Sequence, residues 1–436
     1  MSNIKTLVIF VFLMLNAQAV LAILQVEITK GAEGAMPIAI IPFQRTGLTV
    51  SAPADVATII TENLQRSGKF APIEKNKLIA RPQNIDAVNY KIWRIANIDH
   101  VVIGQIKVTG VQQYEIEFRL LDVFKGEQVL GYKFSADDKS LRGIAHRISD
   151  LIYQQITGQQ GAFDTNIAYV TVERRMGKQP VYKLQVADTD GYNPVTVLTS
   201  SEPVMSPSWS PDGTKIAYVS FESRSSAIYI QHLASQRREK VSYSAGINGA
   251  PVWSPDGKKL AVTLSKGANT DIYTLDLSTR KFKQITRHWA IDTEPSWLGN
   301  NELIFTSSRS GKPQLYRVAI NAAKGRVGKA KRITYQGGYN ANAEVSPDGR
   351  SVVFVQGDGR VFKIALMDLQ TRFVTVLTEG TLDESPSFAP NGSMILYATQ
   401  AAGRGVLAAV STDGRFKQRL VLSEGDVREP TWAPFK

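Results

Sequence analysis

Beyond residue 166 the apolar positions fall in short, strand-length runs, each ended by a polar turn. One cycle reads clearly. Residues 208–210 predict a short inner strand, Pro211, Asp212 and Gly213 a tight turn, and residues 215–220, 227–233 and 239–242 three further strands. Proline presets the first turn dihedral, aspartate accepts from nearby backbone, and glycine takes the positive φ that the return requires. The cycle recurs: Pro-Ser-Trp-Ser-Pro-Asp-Gly starts at Pro207 and Pro-Val-Trp-Ser-Pro-Asp-Gly at Pro251. Weaker versions start at Pro295, Ala343 and Pro386, and a stub at Pro430. The steps are 44, 44, 48, 43 and 44 residues, a period that predicts a β-propeller of four-stranded blades.

The blade number follows from the second strand, whose apolar centre recurs at Ile167, Ile216, Leu260, Ile304, Val352 and Ile395, giving six. The first of these has no inner strand before it, and the last repeat, from Pro430, is an inner strand with nothing after it. The C-terminal strand is therefore expected to complete the blade begun near Asn166 and leave no free sheet edge. Trp209, Trp253 and Trp297 share one register, where a large ring fills the wedge between blades.

The pattern before residue 160 is different. Leu24, Val26 and Ile28 alternate as a short strand, and residues 37–43 (PIAIIPF) read as a buried one. Val56, Ile59, Ile60 and Leu64 recur at helical spacing up to Gly68, and strand signals return at residues 70–73. A helix over 89–96, a strand over 101–109 and a hairpin over 114–134 turning at Lys125-Gly126 follow. Leu141, Ile144, Ala145, Ile148, Leu151, Ile152 and Ile156 mark a last amphipathic helix. The prediction is a multi-domain chain: a small N-terminal α/β domain over 23–160, a hinge at 158–161, and the six-bladed propeller over 161–436.

Residues 1–22 change the picture of where this happens. Lys5 precedes nine unbroken apolar residues, and small residues follow at Ala17, Ala19 and Ala22. Nine is far short of the roughly 20 residues that span a bilayer, so the segment reads as a cleaved export signal, cut after Ala19 or Ala22. No cysteine occurs, which excludes disulfides, thiolate metal sites and cysteine nucleophiles. The formal charge of +12 is uneven: residues 23–160 carry +2 and the remainder from Gly161 carries +9. Export, and the lack of a basic stripe interleaved with aromatics, argue against nucleic acid. A preference for acidic partners or surfaces is what the excess supports.

Catalytic patterns are missing. The four histidines form no HxxxH or HExxH pair, and no GxSxG elbow, GxxxxGK[ST] loop or GxGxxG fingerprint occurs. No cofactor or metal is expected. Acids do cluster before the inner strands, at Glu294, at Asp383 and Glu384, and at Glu429. In a propeller these loops lie at one face beside the channel mouth. Three readings compete: a pair of glycosidase carboxylates in an exported glycan-acting enzyme, a merely polar rim, and a recognition surface built from six equivalent loops. The last is favoured.

An export signal, a small α/β domain opening near PIAIIPF and a six-fold SPDG propeller together resemble the TolB family of the Tol–Pal system of Gram-negative bacteria. Thr293–Trp297 (TEPSW), 382–387 (LDESPS) and 411–420 (STDGRFKQRL) add to the likeness. The resemblance implies a non-enzymatic periplasmic protein, monomeric outside its complexes, that does not span the membrane and supports outer-membrane integrity and invagination at cell division. It implies that the lipoprotein Pal binds the propeller face and that TolA binds the mature N-terminal segment. Bacteriocins exploit the same family. Matched by motif, the Pal-facing positions are Met205, Ile247, Asn248, Gly249, Ala250, Thr293 and Glu294, with Asn340, Asn342, Asp383 and Glu384 at equivalent loops. The TolA segment is Ile23, Leu24, Gln25, Val26, Glu27 and Ile28, which cleavage after Ala22 would expose.

Overall fold

Four antiparallel strands per repeat close into a ring in the computed structural model, which describes residues 25–30, 34–47, 54–174, 176–177, 179–266, 269–320, 327–421 and 425–436. The expected leader, with Ile23 and Leu24 of the expected TolA segment, lies outside the described residues. Blades 2 to 6 each take one repeat, their inner strands being Val204–Trp209, Asn248–Trp253, Asp292–Leu298, Tyr339–Val345 and Glu384–Phe388. Blade 1 joins the two ends of the propeller: Asp426–Trp432 is its inner strand, paired antiparallel with Asn166–Glu173. The ring is six blades, closed by the C-terminal strand.

Hydrogen bonds between neighbouring inner strands run all the way round. Trp209 donates its indole N–H to the Thr431 carbonyl at 3.3 Å, Trp253 to Ser208 at 3.2 Å and Trp297 to Val252 at 3.1 Å. The Val345 amide then donates to Ser296 Oγ, the Phe388 amide to a Glu344 carboxylate oxygen, and the Trp432 amide to Ser387 Oγ. The tryptophans thus tie blades as well as filling the wedge, and Trp253 and Trp297 are buried. In the SPDG turns, Asp212, Asp256 and Asp348 accept from the serine two before and the amide two after, while Gly213, Gly257 and Gly349 sit at φ near +70°. The ordinary task of these carboxylates is turn capping. Asp212 is held down to about 2, first by the Ser210 hydroxyl.

The inner strands are longer than the three residues expected, because each carries a β-bulge. The αL residue of the bulge is Ser206, Ala250, Glu294, Asn342, Ser385 or Glu429, at φ between 45° and 53°. A left-handed non-glycine residue costs about 1–2 kcal/mol, so six of them need support from outside the strand. Neighbouring blades provide some of it. Glu429 accepts from the Ser206 amide, Glu294 from the Asn342 amide, and Thr263 Oγ1 from the Glu294 amide.

The N-terminal domain begins with β1 (Gln25–Lys30), β2 (Met36–Ile40), β3 (Gln44–Gly47), α1 (Val56–Arg66) and β4 (Phe70–Pro72). It continues with α2 (Tyr90–Ile95), β5 (His100–Gly110), β6 (Gln113–Asp122), β7 (Glu127–Asp137) and α3 (Leu141–Thr157). Its mixed sheet runs β4-β2-β5-β6-β7, with β3 also on β5. The apolar stripes of α1 and α3 (Ile59, Ile60 and Leu64; Ala145, Ile148 and Ile152) pack with Ile38, Ile116 and Phe118 of the sheet. β1 is not part of that sheet. It pairs antiparallel with Lys417–Val421, Gln25 opposite Val421 and Ile28 opposite Gln418, as a fifth strand on the outer edge of blade 6.

The expected hinge at 158–161 is a fixed joint. Gly158 caps α3 at φ 75°, Asn391 of blade 6 donates to the Gln160 carbonyl, and Asp150 accepts from the Phe163 and Asp164 amides. A Cβ on Gly161 would lie 2.3 Å from Asp150 Oδ1, so glycine is there for close approach rather than swivel. A buried polar clasp lies alongside. Asn63 of α1 donates to His146 Nδ1 and Ser149 Oγ, Arg66 donates to the Thr189 carbonyl, and Arg142 pairs with Asp190 of blade 1 while its guanidinium lies 3.6 Å from the Tyr192 ring centre. Burial lowers the His146 pKa to about 4, so the imidazole is neutral.

Closure predicts that removing residues 431–436 lowers the melting temperature of the whole propeller, since it takes the Thr431 and Trp432 ties of two blade junctions. Unchanged melting would show that the ring does not depend on them. The clasp predicts a pH dependence. His146 binds its proton more weakly folded than unfolded, so stability present above about pH 6.5 is lost as pH falls toward 4. The melting temperature of the native chain relative to a His146→Gln variant should fall across that window, and a flat difference would refute it.

The channel mouth as candidate functional site

Strand direction sorts the loops. Inner strands start at one face, so the outer-to-inner crossings and the loops between second and third strands share that face, and the SPDG turns lie on the other. The N-terminal domain docks on the SPDG side, through Asn391 in the turn of blade 6 and Thr189 and Asp190 in blade 1. Among the described residues the crossing face is clear of it.

At its centre all six inner strands line a channel mouth of about 510 Å³, and no lysine or arginine is among the lining residues. Carboxylates are. Glu294 accepts from Thr306 Oγ1 and the Asn342 amide, both at 2.8 Å. Glu344 accepts from the Phe388 amide, and desolvation in the wall pushes it up to about 7. Glu429 is pushed up to about 7 by burial and then by the nearby charges of Glu384 and Glu294. Their αL or wall positions aim these groups at the axis from different blades.

The candidate positions separate into three sets. Met205 and Ile247 are exposed apolar residues on the rim, and Glu384 is exposed beside the mouth. Gly249, Ala250, Thr293, Glu294 and Asn342 are half-buried, with the Thr293 hydroxyl 3.4 Å from Thr263 Oγ1. Asn248, Asn340 and Asp383, expected at the partner-facing surface, have buried side chains instead. Each fastens a crossing loop from beneath. Asn248 binds Ser242 Oγ, the Ser244 amide and three carbonyls, Asn340 binds Gln314 and the Gln336 carbonyl, and Asp383 accepts from Thr378 and Thr399. Asp292 does the same in blade 4 through Arg309 at 2.7 Å. These four stand two residues before the bulge residue, a spacing that identifies them once the bulge is known. An Asn or Asp there reads the same in sequence whether it faces a partner or its own loop.

Several residues of the face carried no signal of their own. Ser206 and Ser385 are bulge residues, marked only by the proline that follows. Tyr339, Phe362 and Glu344 line the channel from strand residues. Tyr243, Trp289 and Tyr335 stand exposed on the crossing loops. Of the N-terminal segment, Glu27 and Ile28 are exposed on β1, and the backbones of Gln25 and Val26 pair with blade 6.

The His146, Asp188 and Asp190 ligand atoms lie within 4.8 Å of one another, but the Arg142 guanidinium already sits against both aspartates, so the group is an ion-pair cluster and not a cation cradle. Among the described residues no helix is long and apolar enough to cross a membrane.

Comparison with known proteins bears on the whole chain. The TolB amino-terminal domain matches residues 24–129 and the TolB beta propeller domain residues 153–436. The Tol-Pal system protein TolB of Thioalkalivibrio sulfidiphilus is 50% identical over 430 residues, covering 98% of this chain and 97% of that one. That of Xanthomonas oryzae pv. oryzae is 50% identical over 415 residues, covering 95% and 93%. The crystal structure of TolB from Acinetobacter baumannii superposes with a TM-score of 0.87 at 42% identity, covering 94% of this chain and all of that one. With both domains matched, in order and over nearly the full length, the chain belongs to the TolB family of the Tol–Pal system.

Proposed function

We propose that this is a non-catalytic, periplasmic protein-binding component that receives Pal on the crossing face and TolA through its N-terminal segment, in support of outer-membrane integrity and invagination at division. The observation that carries this is the face itself: rigid loops around a funnel, free of the N-terminal domain, with exposed Met205 and Ile247 at its rim. A compact domain fits such a funnel better than a small substrate does. The acids support the same reading. Glu294, Glu344 and Asp383 are engaged in accepting hydrogen bonds from neighbouring strands, which suits a wall more than an acid and base pair. For TolA, β1 supports strand addition: a strand paired by backbone bonds to one sheet edge can exchange that edge for a partner's.

Glu294 is tied to Thr306 and Asn342, so its removal costs stability as well as any contact, and it makes a poor test. Ile247→Asp combined with Thr293→Ala is cleaner. Titration calorimetry with the soluble domain of Pal should show affinity weakened at least about tenfold, with melting shifted by no more than about 2 °C. Undiminished affinity would remove these residues from the site. A chain lacking residues 23–28 should lose TolA binding and keep Pal binding. Loss of both would mean that the deletion disrupts the fold, and retention of both would place TolA elsewhere.

A further inference from the structure

The crossing loops of four successive blade junctions carry large apolar side chains into solvent. Tyr243 and Ile247 lie between blades 2 and 3, Trp289 and Ile291 between 3 and 4, Tyr335 between 4 and 5, and Leu382 between 5 and 6. The three aromatic residues are each 73–74% exposed. Aromatic rings left in water on one face are unusual for a free surface, and they are what binding hot spots are made of.

These rings stand on fixed supports. The loops beneath are fastened by Asn248, by the Asp292–Arg309 pair, by Asn340 and by Asp383. The Tyr335 hydroxyl donates to the Arg332 carbonyl while the Arg332 guanidinium lies 5.1 Å from its ring centre, and His288 packs against Trp289 at 5.2 Å between ring centres. Little side-chain or loop freedom is left to lose on binding.

Charge is arranged around the crescent on the same face. Inside it is the channel mouth, with Glu294, Glu384 and Glu429 and no lining cation. Outside it, Arg224, Arg287, Lys312 and Arg360 are exposed on the neighbouring loops and Lys266 at a strand end; of the acids exposed there, Glu222 and Glu379 are paired with Arg238 and Lys417, and Glu202 and Asp358 stand among the cations. The centre therefore favours a positive or N–H-rich tip, and the periphery an acidic skirt.

We propose that Tyr243, Trp289 and Tyr335 form an aromatic crescent that grips the apolar flank of a folded protein domain whose cationic or helix-N-terminal knob enters the acidic channel mouth and whose acidic skirt meets the outer cations. This rests on the reading that the crossing face binds Pal, and it names the anchors and the chemistry that the partner must present. The contact is a standard protein interface, with energy concentrated in a few central aromatics and charge controlling approach.

The test is calorimetry and surface kinetics on the full mature chain with the soluble domain of Pal. Trp289→Ala and Tyr335→Ala, separately, should each weaken binding by about 30-fold or more, chiefly through faster dissociation. Trp289→Phe should recover most of the loss. Melting should shift by no more than about 2 °C, since neither ring is buried. Lys266→Glu with Arg287→Glu should slow association and flatten its salt dependence. If the native chain binds Pal and both alanine variants bind as tightly, the crescent is refuted while the broader reading stands. If binding to the native chain is absent, the broader reading fails and the crescent with it. Association that is insensitive to salt and to the charge reversals would overturn the outer ring of the proposal.

Discussion

The structure depends on the ring of inter-blade hydrogen bonds near the axis. A four-stranded blade has one apolar face to each neighbour and two edges, and it cannot bury those faces alone. Closing six of them removes the problem only if the last blade meets the first. Here the meeting is made by Asp426–Trp432, which enters blade 1 from the far end of the chain, and by Trp209 and Trp432, which bond across the two junctions it creates. Every other tie is between blades adjacent in sequence. The closure alone spans the whole propeller, so the cooperativity of the ring rests on it.

The same inner strands generate the functional surface. Because each passes through a left-handed bulge, its backbone turns toward the axis, and the side chain at the bulge is aimed into the channel or across to the next blade. Glu294 and Glu429 show both effects: they line the mouth and they satisfy the bulge amide of the following blade. Removing their charge would therefore alter geometry as well as potential. Two residues upstream, Asn248, Asp292, Asn340 and Asp383 turn inward and hold the crossing loops still. The face is rigid because its polar residues are divided between these two tasks.

The two faces are not equivalent. The SPDG side carries the capped turns, and the N-terminal domain packs there through the Asn63–His146–Asp190 clasp and the pinned 158–161 joint. Among the described residues the N-terminal domain does not cover the crossing side, whose loops carry the exposed aromatic residues. Charge follows this division: a chain that is strongly basic overall keeps its channel mouth acidic and its cations at the periphery. β1 adds one more asymmetry, since it extends blade 6 alone and joins the N-terminus to the propeller by backbone bonds.

Much of this was legible in the sequence. The repeated Trp and SPDG marked the propeller, because a turn needs Asp and Gly at set offsets and a wedge needs a large ring at one register, and the six second-strand apolar centres gave the blade number. The complementary half-blades at Asn166 and Pro430 implied the closure. Helical spacing at Val56–Leu64 and Leu141–Ile156 located the two long helices, and the mouth acids were visible before the inner strands. What sequence could not decide was direction. Asn248, Asn340 and Asp383 look like surface recognition residues until the bulge sets which way the strand turns. The glycines at 158 and 161 look like a hinge until Asp150 and Asn391 are seen against them. Trp289 and Tyr335, outside the repeated motif, read in sequence like any other loop aromatics, and only the fold shows that they stand exposed on one face. A local pattern specifies which dihedrals and which face a strand prefers, but exposure depends on what residues far along the chain bring up against it, and only the folded ring supplies that.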